Sequence, residues 1–363
     1  MNWLALPAAA SAAYQLVALI AARRNAPSPP GTAPISILKP VRGRDPRFAA
    51  AILSHATQDY PEFEILFGVR DSSDPAVAAI RALMAQYANV RLIITEDDAP
   101  NGKVGVLQAL AREARYPLLL VNDSDIVVPA GYLRAVAGPL SDPAVGLVTC
   151  LYRATGDSTA ARMEALGIAT DFAMGVLVAR LLGDSAFALG STMLFRAADL
   201  ARIGGFAAIA DYIADDYQLG LRIHRLGLRI ELSPVVVETG LGAGSWGEVW
   251  RHQLRWSRTI RVSRPWGYCG FAATQTTFWA LLALASGNWP VALAAMFLRY
   301  AAALRTALVL GDSTVARRWW WIPARDLFGT LVWVTALCGN QVEWRGQKLR
   351  LTPDGRIHGH SQG

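Results

Sequence analysis

The sequence predicts an α/β fold with a mainly parallel β-sheet flanked by helices, and membrane helices at both ends of the chain. Short β-branched runs alternate with helical patterns from residue 35 onward, which is typical of a sheet covered by helices on both faces. Long apolar stretches lie near both termini. Hydrophobic residues make up 53% of the 363 residues, more than soluble domains usually carry, so a membrane component is expected.

The N-terminal stretch 3–21, WLALPAAASAAYQLVALIA, contains no charged side chain and is long enough to cross a bilayer core of roughly 30 Å. Arg23 and Arg24 follow at once, so residues 1–24 are predicted to be an anchor whose C-terminal side faces the cytoplasm. A cleaved signal peptide is the alternative, but its positive charges would precede the apolar stretch. The Pro-rich segment 25–34 cannot continue a helix and is predicted to be a linker.

The alternating pattern begins near Ile35, and residues 35–265 are predicted to form the cytoplasmic catalytic domain. Its strands are expected at ISILKPV, FEILFGVRD, VRLIIT, PLLLVND and VGLVT, and its helices at about 46–57, 75–87, 103–114 and 130–138. A later amphipathic helix at 161–183 belongs either to the core or to a membrane interface.

The segment 266–340 is predicted to form C-terminal membrane or interfacial helices. Two apolar stretches, 271–286 and 291–310, predict a membrane hairpin. The second contains Arg299 and Arg305, which are costly at mid-bilayer, so one of them is expected to face a polar neighbour or to snorkel.

Three tryptophans beside basic residues at 316–326 then predict an interfacial belt. The last apolar piece, 327–339, is short for a membrane span. If it crosses, the basic tail 341–363 lies outside the cytoplasm; if it is re-entrant or interfacial, the tail returns to the catalytic side. The positive-inside rule favours the second arrangement, because the tail is rich in basic residues: Arg345, Lys348, Arg350 and Arg356.

The charge balance indicates the class of partner. The net charge of +7 comes almost wholly from Arg and suits an anionic membrane surface or a phosphate-bearing substrate. Nothing resembles a nucleic-acid module, so no nucleic-acid partner is expected. The three cysteines form no CxxC and the five histidines no HExxH, so the sequence predicts neither a disulfide framework nor a zinc site.

Carboxylates follow two of the predicted strands, at the sheet edge where α/β proteins bind ligands. Asp71 lies in GVRDSSDP, and Asp123 with Asp125 lies in VNDSDIV. A single Asp at such a place is often a helix cap or a turn former, as we expect for Asp74. The D-x-D pair instead can present oxygens to one divalent ion, and Mg²⁺ or Mn²⁺ prefers such ligands and often completes its shell with substrate phosphates.

Two further motifs complete the set: YIADDYQLG, with Asp215 and Asp216, and HQLRW at 252–256 on a predicted helix. In this order and at these intervals the motifs resemble the GT-A glycosyltransferases with a D, D, D, (Q/R)xxRW signature. More narrowly, the chain is similar to the ceramide glucosyltransferase family (glycosyltransferase family 21 type). The resemblance covers nearly the whole chain and rests on SILKPVRGRDP, DYPEFEILFGVRDSSDPA, NGKVGVLQAL, VNDSDIVV, GSTMLFR, DYIADDYQL, GSW before HQLRW, and VEWRGQKLRL.

The resemblance implies a role for each matching residue. Asp71 would contact the uracil or ribose of a UDP-sugar. Asp123 and Asp125 would hold the nucleotide and the metal on its diphosphate. Asp216 would be the general base, with Asp215 beside it. The remaining positions would lie near the nucleotide, its diphosphate or the acceptor: Lys39, Lys103, His252, Gln253, Arg255 and Trp256.

Inverting transfer needs one carboxylate to deprotonate the acceptor hydroxyl, and such assistance typically contributes 10² to 10⁴ in rate. A metal that stabilises the leaving group makes a second acid unnecessary. The alternative for Asp215 and Asp216 is to cap the helix predicted at 216–226. The lysines Lys39 and Lys103 have an alternative as well, since a lysine at a strand end can simply be solvated.

Two departures from the family pattern are visible. His252 stands where the pattern has Gln or Arg, which puts the role of that residue in doubt. The chain also has both carboxylates of D-x-D, whereas many relatives of the ceramide enzyme have only the first. The glycines at 240–244 do not form a dinucleotide fingerprint, because the required third glycine is Ser245.

Together, these features predict a multi-pass protein of the inner membrane whose catalytic domain faces the cytoplasm. The resemblance implies transfer of GlcNAc or glucose from a UDP-sugar to a membrane lipid hydroxyl. The acceptor it suggests first is a hopanoid polyol such as bacteriohopanetetrol, and ceramide is the alternative. A processive polysaccharide synthase shares the signature but needs more membrane helices, and a sugar-nucleotide-binding protein without catalysis would not need Asp216.

Overall fold

The computed structural model describes residues 3, 5–45, 47–242, 244–344 and 346–359. The strands are β1 (Ile35–Pro40), β2 (Phe63–Val69), β3 (Val90–Ile94), β4 (Leu118–Val121), β5 (Val145–Thr155), β6 (Met193–Arg196), β7 (Arg229–Gly240), β8 (Gln341–Trp344), β9 (Gln347–Leu351) and β10 (Ile357–Gly359). The helices are α1 (Ala5–Ala21), α2 (Phe48–Ala56), α3 (Ala76–Met84), α4 (Gly102–Glu113), α5 (Tyr132–Ala137), α6 (Thr159–Gly167), α7 (Ala173–Leu181), α8 (Ala197–Arg202), α9 (Asp215–His224), α10 (Trp246–Ser263), α11 (Pro265–Gly270), α12 (Thr276–Ala285), α13 (Trp289–Leu310), α14 (Thr314–Arg317) and α15 (Ile322–Ala336).

The chain forms two compact units, each discontinuous in sequence. The sheet unit comprises residues 25–152 and 185–242. The helical unit comprises residues 1–24, 153–184 and 243–363. The stretch predicted as one catalytic domain is therefore divided, because α6, α7 and α10 belong to the helical unit together with both terminal segments.

The sheet unit contains a seven-stranded sheet in the order β3-β2-β1-β4-β6-β5-β7. The first four strands of this order pair in parallel, with Leu38 of β1 opposite Leu66 on one side and Val121 on the other. Strand β6 runs antiparallel to both β4 and β5. The predicted α/β fold with a mainly parallel sheet flanked by helices is thereby confirmed.

The strands form where the sequence offers continuous apolar runs. Every residue of β1 and of β4 is buried, as expected for a sheet covered on both faces. On one face, α4 packs Val104, Leu107 and Leu110 into a cluster with Leu38. Residues Leu219 and Ile223 of α9 join the same cluster, so α4 and α9 cover one face of the sheet together.

In the helical unit, α1, α12 and α13 pack through small side chains. Their shared core consists of alanines: Ala8, Ala280, Ala283, Ala292 and Ala295. Small residues let helix backbones approach closely, which is the usual packing of helices in lipid. Gln15 of α1 donates through Nε2 to the Thr276 hydroxyl of α12 at 2.8 Å, so a buried hydrogen bond joins these two helices.

The two arginines of α13 have the polar neighbours that were predicted for one of them. Arg299 is fully buried and donates to Asp326 at 2.6 Å and to Asp171 at 2.5 Å. Arg305 donates through Nε to the Ala22 carbonyl at 3.1 Å, close to the C-terminal end of α1.

By length and composition, α13 is the one helix among the described residues that could cross a bilayer, and α1 and α12 are apolar but shorter. Membrane helices at both ends of the chain therefore remain a prediction. Large apolar side chains are exposed along α1, α12, α13 and α15, among them Leu6, Leu16, Leu281, Leu293, Phe297, Leu308 and Leu331.

The predicted basic tail forms an antiparallel sheet in the order β10-β9-β8. Arg258 of α10 donates to the Cys338 carbonyl at 2.8 Å and also to the Gln341 carbonyl. Arg261 donates to the Gly339 carbonyl at 2.8 Å, so α10 holds the start of the tail. Arg345, one of the basic residues predicted there, lies outside the described residues.

Candidate active site

The D-x-D pair follows β4 on a firmly held turn. Asn122, fully buried, donates from Nδ2 to His55 Nε2 at 2.9 Å, and His55 Nδ1 bonds the Ala51 carbonyl at 2.9 Å. Burial, reinforced by the charge of Lys39, lowers the pKa of His55 well below its usual value, so the ring is neutral. This buried hydrogen-bond network fixes the backbone just before Asp123, the first carboxylate of the motif, where the chain leaves the sheet.

Lys103 brings two of the predicted acidic residues together. Its ammonium lies 2.9 Å from Asp123 Oδ1 and 3.0 Å from Asp215 Oδ2. Burial alone would lower the pKa of Lys103, but the charges of Asp123 and Asp215 raise it above its ordinary value. Lys103 is therefore a permanent cation between the two motifs, and the interpretation as a merely solvated lysine does not fit its two ion pairs.

Asn101 explains why Lys103 lies there. Its side-chain oxygen caps α4 by accepting the N–H groups of Lys103 at 3.1 Å and Val104 at 3.3 Å. Its Nδ2 donates to the Tyr212 carbonyl at 2.7 Å, in the segment that leads to Asp215. One side chain thus joins the NGK motif to the YIADDYQLG motif.

Asp216 is held by backbone groups. Its Oδ2 accepts the Gly190 N–H at 3.0 Å and its Oδ1 accepts the N–H of Tyr217 at 2.7 Å. Burial and then the neighbouring charge of Asp215 raise the pKa of Asp216 to about 6, although Lys103 acts in the opposite direction. The carboxylate is therefore ionised at neutral pH and more basic than an ordinary aspartate.

Gly190 separates this carboxylate from the D-x-D motif. A Cβ at position 190 would lie 3.3 Å from Asp123 Oδ2 and 3.4 Å from Asp216 Oδ2. The glycine thus lets its backbone N–H reach Asp216 while leaving room between the two carboxylates. Helix α9 begins after Ala214, which has no side-chain cap, and Asp215 and Asp216 both lie in its first turn, where Asp216 accepts the Tyr217 N–H.

Asp125, the second carboxylate, accepts a hydrogen bond from the Thr239 hydroxyl of β7. Burial and then the charge of Asp123 raise the pKa of Asp125 to about 6. Among the described residues no group of three or more His, Cys, Asp or Glu side chains could hold a metal ion. Two mutually repelling carboxylates nevertheless suit a Mg²⁺ or Mn²⁺ ion that takes its other ligands from water and substrate phosphates, so the donor set fits such an ion.

Lys39, at the end of β1, is completely buried beneath this turn. Its ammonium donates to the Asp123 carbonyl oxygen at 3.0 Å. Burial lowers the pKa of Lys39 to about 7, against the opposing charges of Asp125 and Asp123. A solvated lysine is again excluded, and the contact shows that Lys39 supports the backbone that carries the D-x-D motif.

Asp71 and Asp74 make local contacts at the end of β2. Asp71 is exposed, and its Oδ1 accepts the Ser73 N–H at 2.8 Å, which lowers the pKa of Asp71. Asp74 accepts the N–H groups of Ala76 and Gly43, each at 2.8 Å, as expected for a turn former. The Asp71 contact is that of a turn as well, and it leaves the carboxylate accessible to a ligand.

The HQLRW motif lies on α10 in the helical unit. Ser245, which breaks the glycine fingerprint, begins this helix in a capping box with Glu248. His252 Nδ1 lies 2.5 Å from Glu164 Oε1, and Gln253 Nε2 donates to the same oxygen at 2.9 Å. The Trp256 ring packs 4.6 Å from the His252 ring, so all of these side chains form one cluster.

Several residues that contact the predicted ones were not predicted, among them Asn101, Gly190, Thr239 and Glu164. Asn101 and Gly190 begin NGKVGVLQAL and GSTMLFR, so both had a local signal in the motifs that carry the resemblance. Glu164 is the one carboxylate of the stretch ARMEALG, and it falls on the buried face of that helix. Its local signal is therefore a charge on an apolar helix face. Thr239 has no comparable signal.

The family model described as Glycosyl transferase family 21 matches residues 3–357. Ceramide glucosyltransferase 1 of Caenorhabditis elegans is 29% identical over 212 residues, which cover 57% of this chain and 45% of that protein. Ceramide glucosyltransferase of Komagataella phaffii is 30% identical over 127 residues, which cover 33% of this chain and 25% of that protein. The chain thus spans less than half the length of the curated relatives it matches.

Among solved structures, the mannosyltransferase PcManGT from Pyrobaculum calidifontis, in complex with GDP-Man and Mn²⁺, is similar to the chain with a TM-score of 0.53 and 20% identity. The match covers 92% of this chain and 99% of that one. At this identity the likeness shows a shared GT-A-like fold and nothing finer.

Proposed function

The chain belongs to glycosyl transferase family 21, and we propose that it moves a sugar, with inversion, from a UDP-sugar to a hydroxyl group of a membrane lipid. One observation carries the proposal: the Lys103 ammonium pairs with both Asp123 and Asp215 beyond the carboxyl end of β4, and Gly190 lies between Asp123 and Asp216. Such an edge is where open α/β sheets bind nucleotides, and this one combines paired carboxylates with a fixed cation.

Asp216 acts as the general base in this proposal. Its two backbone hydrogen bonds fix the carboxylate, and its raised pKa lets it take a proton from the acceptor hydroxyl near neutral pH. Asp215 is paired with Lys103, so its role is to balance that charge and to orient the start of α9.

Asp123 and Asp125 would hold the divalent cation, Mg²⁺ or Mn²⁺, together with the donor phosphates. When bound, the cation would neutralise the charge that develops on the departing diphosphate. Thr239 orients Asp125, and Lys39 supports the turn from below. Both contacts fix the carboxylates before the donor arrives, which lowers the entropic cost of binding it.

For the remaining residues we propose the roles that the family resemblance implies. Asp71 would contact the uracil or ribose, and its carboxylate is exposed, held by the Ser73 N–H of the adjacent turn. His252, Gln253, Arg255 and Trp256 would contribute to binding the diphosphate and the acceptor. The cluster around Glu164 supports this assignment, since it fixes the orientation of the first two of these side chains.

The acceptor we propose first is a hopanoid polyol such as bacteriohopanetetrol, which takes GlcNAc or glucose. Its support is the resemblance to bacterial family members together with the complete D-x-D motif. Ceramide is the second candidate, favoured by the similarity of the chain to two ceramide glucosyltransferases. Both acceptors present a hydroxyl group at a membrane surface, so the same base and metal ligands would serve either.

Purified protein incubated with UDP-GlcNAc or UDP-glucose and either acceptor, in the presence of Mn²⁺, tests the proposal by mass spectrometry of the lipid products. We expect a single added hexose or N-acetylhexosamine on the hopanoid polyol, and no product with Asp216→Asn. Transfer of glucose to ceramide alone would exclude the first acceptor. A series of products of increasing length would point instead to a polysaccharide synthase.

We also propose that the helical unit binds the inner membrane with the catalytic residues on the cytoplasmic side. Helices α1 and α13 meet at their C-terminal ends, where Arg24 donates to the Val309 carbonyl at 2.9 Å, so the basic end of the predicted anchor and the end of α13 lie on one side. Helix α15 runs beside α10, from Phe328 packed 5.7 Å from Trp250 to the tail held by Arg258. Because α10 carries four arginines, a helix that follows it along its length is interfacial and does not cross.

A further inference from the structure

Gly190 is a glycine that its backbone conformation does not require. It does not have a positive φ, so other residues could adopt the same conformation. A side chain there would instead meet two carboxylates of the candidate site, because a Cβ would lie 3.3 Å from Asp123 Oδ2 and 3.4 Å from Asp216 Oδ2. The missing side chain therefore keeps a space open between these two carboxylates.

The turn that carries Gly190 is held on both sides within the sheet unit. The Leu189 N–H donates to the Thr149 hydroxyl at 3.0 Å, and the Ser191 hydroxyl donates to the Cys150 carbonyl at 2.9 Å. Leu189 and Ser191 are buried, whereas Gly190 is partly exposed. Because close-packed surroundings move little, the turn cannot retreat when a side chain is added, and that side chain would fill the space in front of it.

The space between the D-x-D motif and the base is where the proposed reaction needs the donor sugar. Asp123 and Asp125 would hold the diphosphate through the cation, and Asp216 would deprotonate the acceptor hydroxyl. In an inverting reaction the leaving group and the attacking oxygen lie on opposite faces of the sugar ring, so the ring lies between the groups that serve them. Gly190 borders this space with its backbone alone.

We propose that Gly190 forms one wall of the donor-sugar subsite, so that the ring of the hexose or N-acetylhexosamine packs against its Cα. The inference rests on the proposed function and deepens it, because it makes position 190 a specificity-determining residue for the sugar and not for the nucleotide. A methyl group at this position would exclude the sugar ring and leave the binding of UDP intact.

The test compares Gly190→Ala with the wild type in the full-length protein. Calorimetry in the presence of Mn²⁺ and without acceptor lipid gives separate Kd values for UDP and for UDP-GlcNAc or UDP-glucose, whichever donor the wild type uses. We expect Gly190→Ala to raise the Kd for the UDP-sugar about tenfold, because overpacking a filled site is costly, while the Kd for UDP changes less than about twofold. In transfer kinetics, the KM for the donor should rise and the KM for the acceptor lipid should not.

Gly131→Ala is the matched control. It makes the same change in the sheet unit, at a glycine with a φ of −89° whose added Cβ would meet nothing within 4 Å. It should leave the Kd values for UDP and for the UDP-sugar unchanged. Asp216→Glu extends into the same space from the other side by one methylene group. It should also weaken binding of the UDP-sugar but not of UDP, and it carries the test if Gly190→Ala does not fold.

Wild-type affinity for the UDP-sugar in Gly190→Ala would overturn this inference alone. An equal loss of affinity for UDP and for the UDP-sugar would also overturn it, because the methyl group would then act on the cation site. A raised KM for the acceptor lipid with an unchanged KM for the donor would assign the space to the acceptor and overturn it too. Wild-type protein that neither binds UDP nor transfers a sugar would instead overturn the proposed function, and this inference would fall with it.

Discussion

Asp215 and Asp216 are neighbours in sequence, but their partners differ in a way that separates their roles. Asp215 pairs with the Lys103 ammonium, whereas Asp216 accepts two backbone N–H groups. Burial and the neighbouring charge of Asp215 raise the pKa of Asp216 and make it a stronger base than an ordinary aspartate, whereas the Asp215 carboxylate is engaged by a cation. These different partners favour Asp216 as the base and indicate an electrostatic role for Asp215.

The first prediction concerns the pH dependence of transfer. The raised pKa of Asp216, about 6, means that the base is protonated and inactive below this pH. With donor and Mn²⁺ saturating, so that Asp125 stays ionised, kcat should fall as pH drops through about 6 and should level off above 7. Asp216→Asn should lower kcat by about 10² to 10⁴ and remove this dependence.

Asp211→Asn is the control for that experiment, because Asp211 is an exposed carboxylate in the same segment. It should keep both the rate and the pH profile. A kcat that stays constant down to pH 4.5 in the wild type would contradict the assignment of Asp216.

The second prediction concerns the metal. Asp125→Ala should raise the Mn²⁺ concentration needed for half-maximal UDP binding at least tenfold, because it removes one of two carboxylate ligands. Calorimetry of Mn²⁺ with UDP gives this value without an activity measurement. Thr239→Val keeps the Asp125 carboxylate and removes only its hydrogen bond, so its effect should be smaller. Equal Mn²⁺ dependence in wild type and Asp125→Ala would exclude Asp125 as a ligand.

The acidic residues could be predicted because their signals are local, whereas their partners could not. The D-x-D spacing and the following strand end are visible within seven residues of sequence, VNDSDIV. Gly190 bonds Asp216 across 26 positions, Glu164 bonds His252 across 88, and Thr239 bonds Asp125 across 114. Contacts of that separation depend on how the strands and helices pack, which a single sequence does not specify.

Helix α4 shows how an element brings two motifs together. Its apolar face packs on the sheet, its first turn carries Lys103, and its cap Asn101 also holds the Tyr212 carbonyl. The sequence predicts this helix at 103–114 because its apolar residues recur at helical spacing. The same periodicity predicts 161–183 as one uniform helix, but a π-helical segment, Ile168–Phe172, interrupts it. The strands of the tail are not predicted either, because its charged residues obscure the alternation of apolar and polar side chains that is typical of a strand.

The third prediction tests the cap. Asn101→Ala removes both the cap and the bond to Tyr212, so the free energy of unfolding should fall by about 1 to 2 kcal/mol, measured by denaturant titration. Because the segment before Asp216 is then no longer held by the hydrogen bond from Asn101 to the Tyr212 carbonyl, kcat should fall as well. Asn101→Asp keeps the capping oxygen and loses only the donor to Tyr212, so it should recover most of the stability but not the rate. Equal rates in Asn101→Asp and wild type would show that the hydrogen bond from Asn101 to Tyr212 does not position the segment before Asp216.

The family and the α/β class of the whole molecule follow from the sequence. The division of the chain into the sheet unit and the helical unit, each discontinuous, does not. The predicted boundary at residue 265 rests on a change in composition, whereas α6, α7 and α10 belong to the helical unit, where α10 is bonded to later helices by long-range contacts such as Gln253 with Arg325. A composition change marks where a chain becomes apolar, and it cannot show that an earlier segment packs with a later one.

The last prediction concerns the side of the membrane on which the tail lies. The tail is bonded to Arg258 and Arg261 of α10, and a helix with four arginines stays out of the bilayer core, so the tail should be cytoplasmic. In a Cys269→Ser, Cys338→Ser background, which retains the buried Cys150, a cysteine introduced by His358→Cys should react with an impermeant maleimide only after the cells are opened. The control is Trp289→Cys at the start of α13, whose other end lies beside the basic end of α1, and which should be labelled in intact cells. Labelling of His358→Cys from outside would mean that α15 crosses the membrane and that its alignment with α10 does not hold in the bilayer.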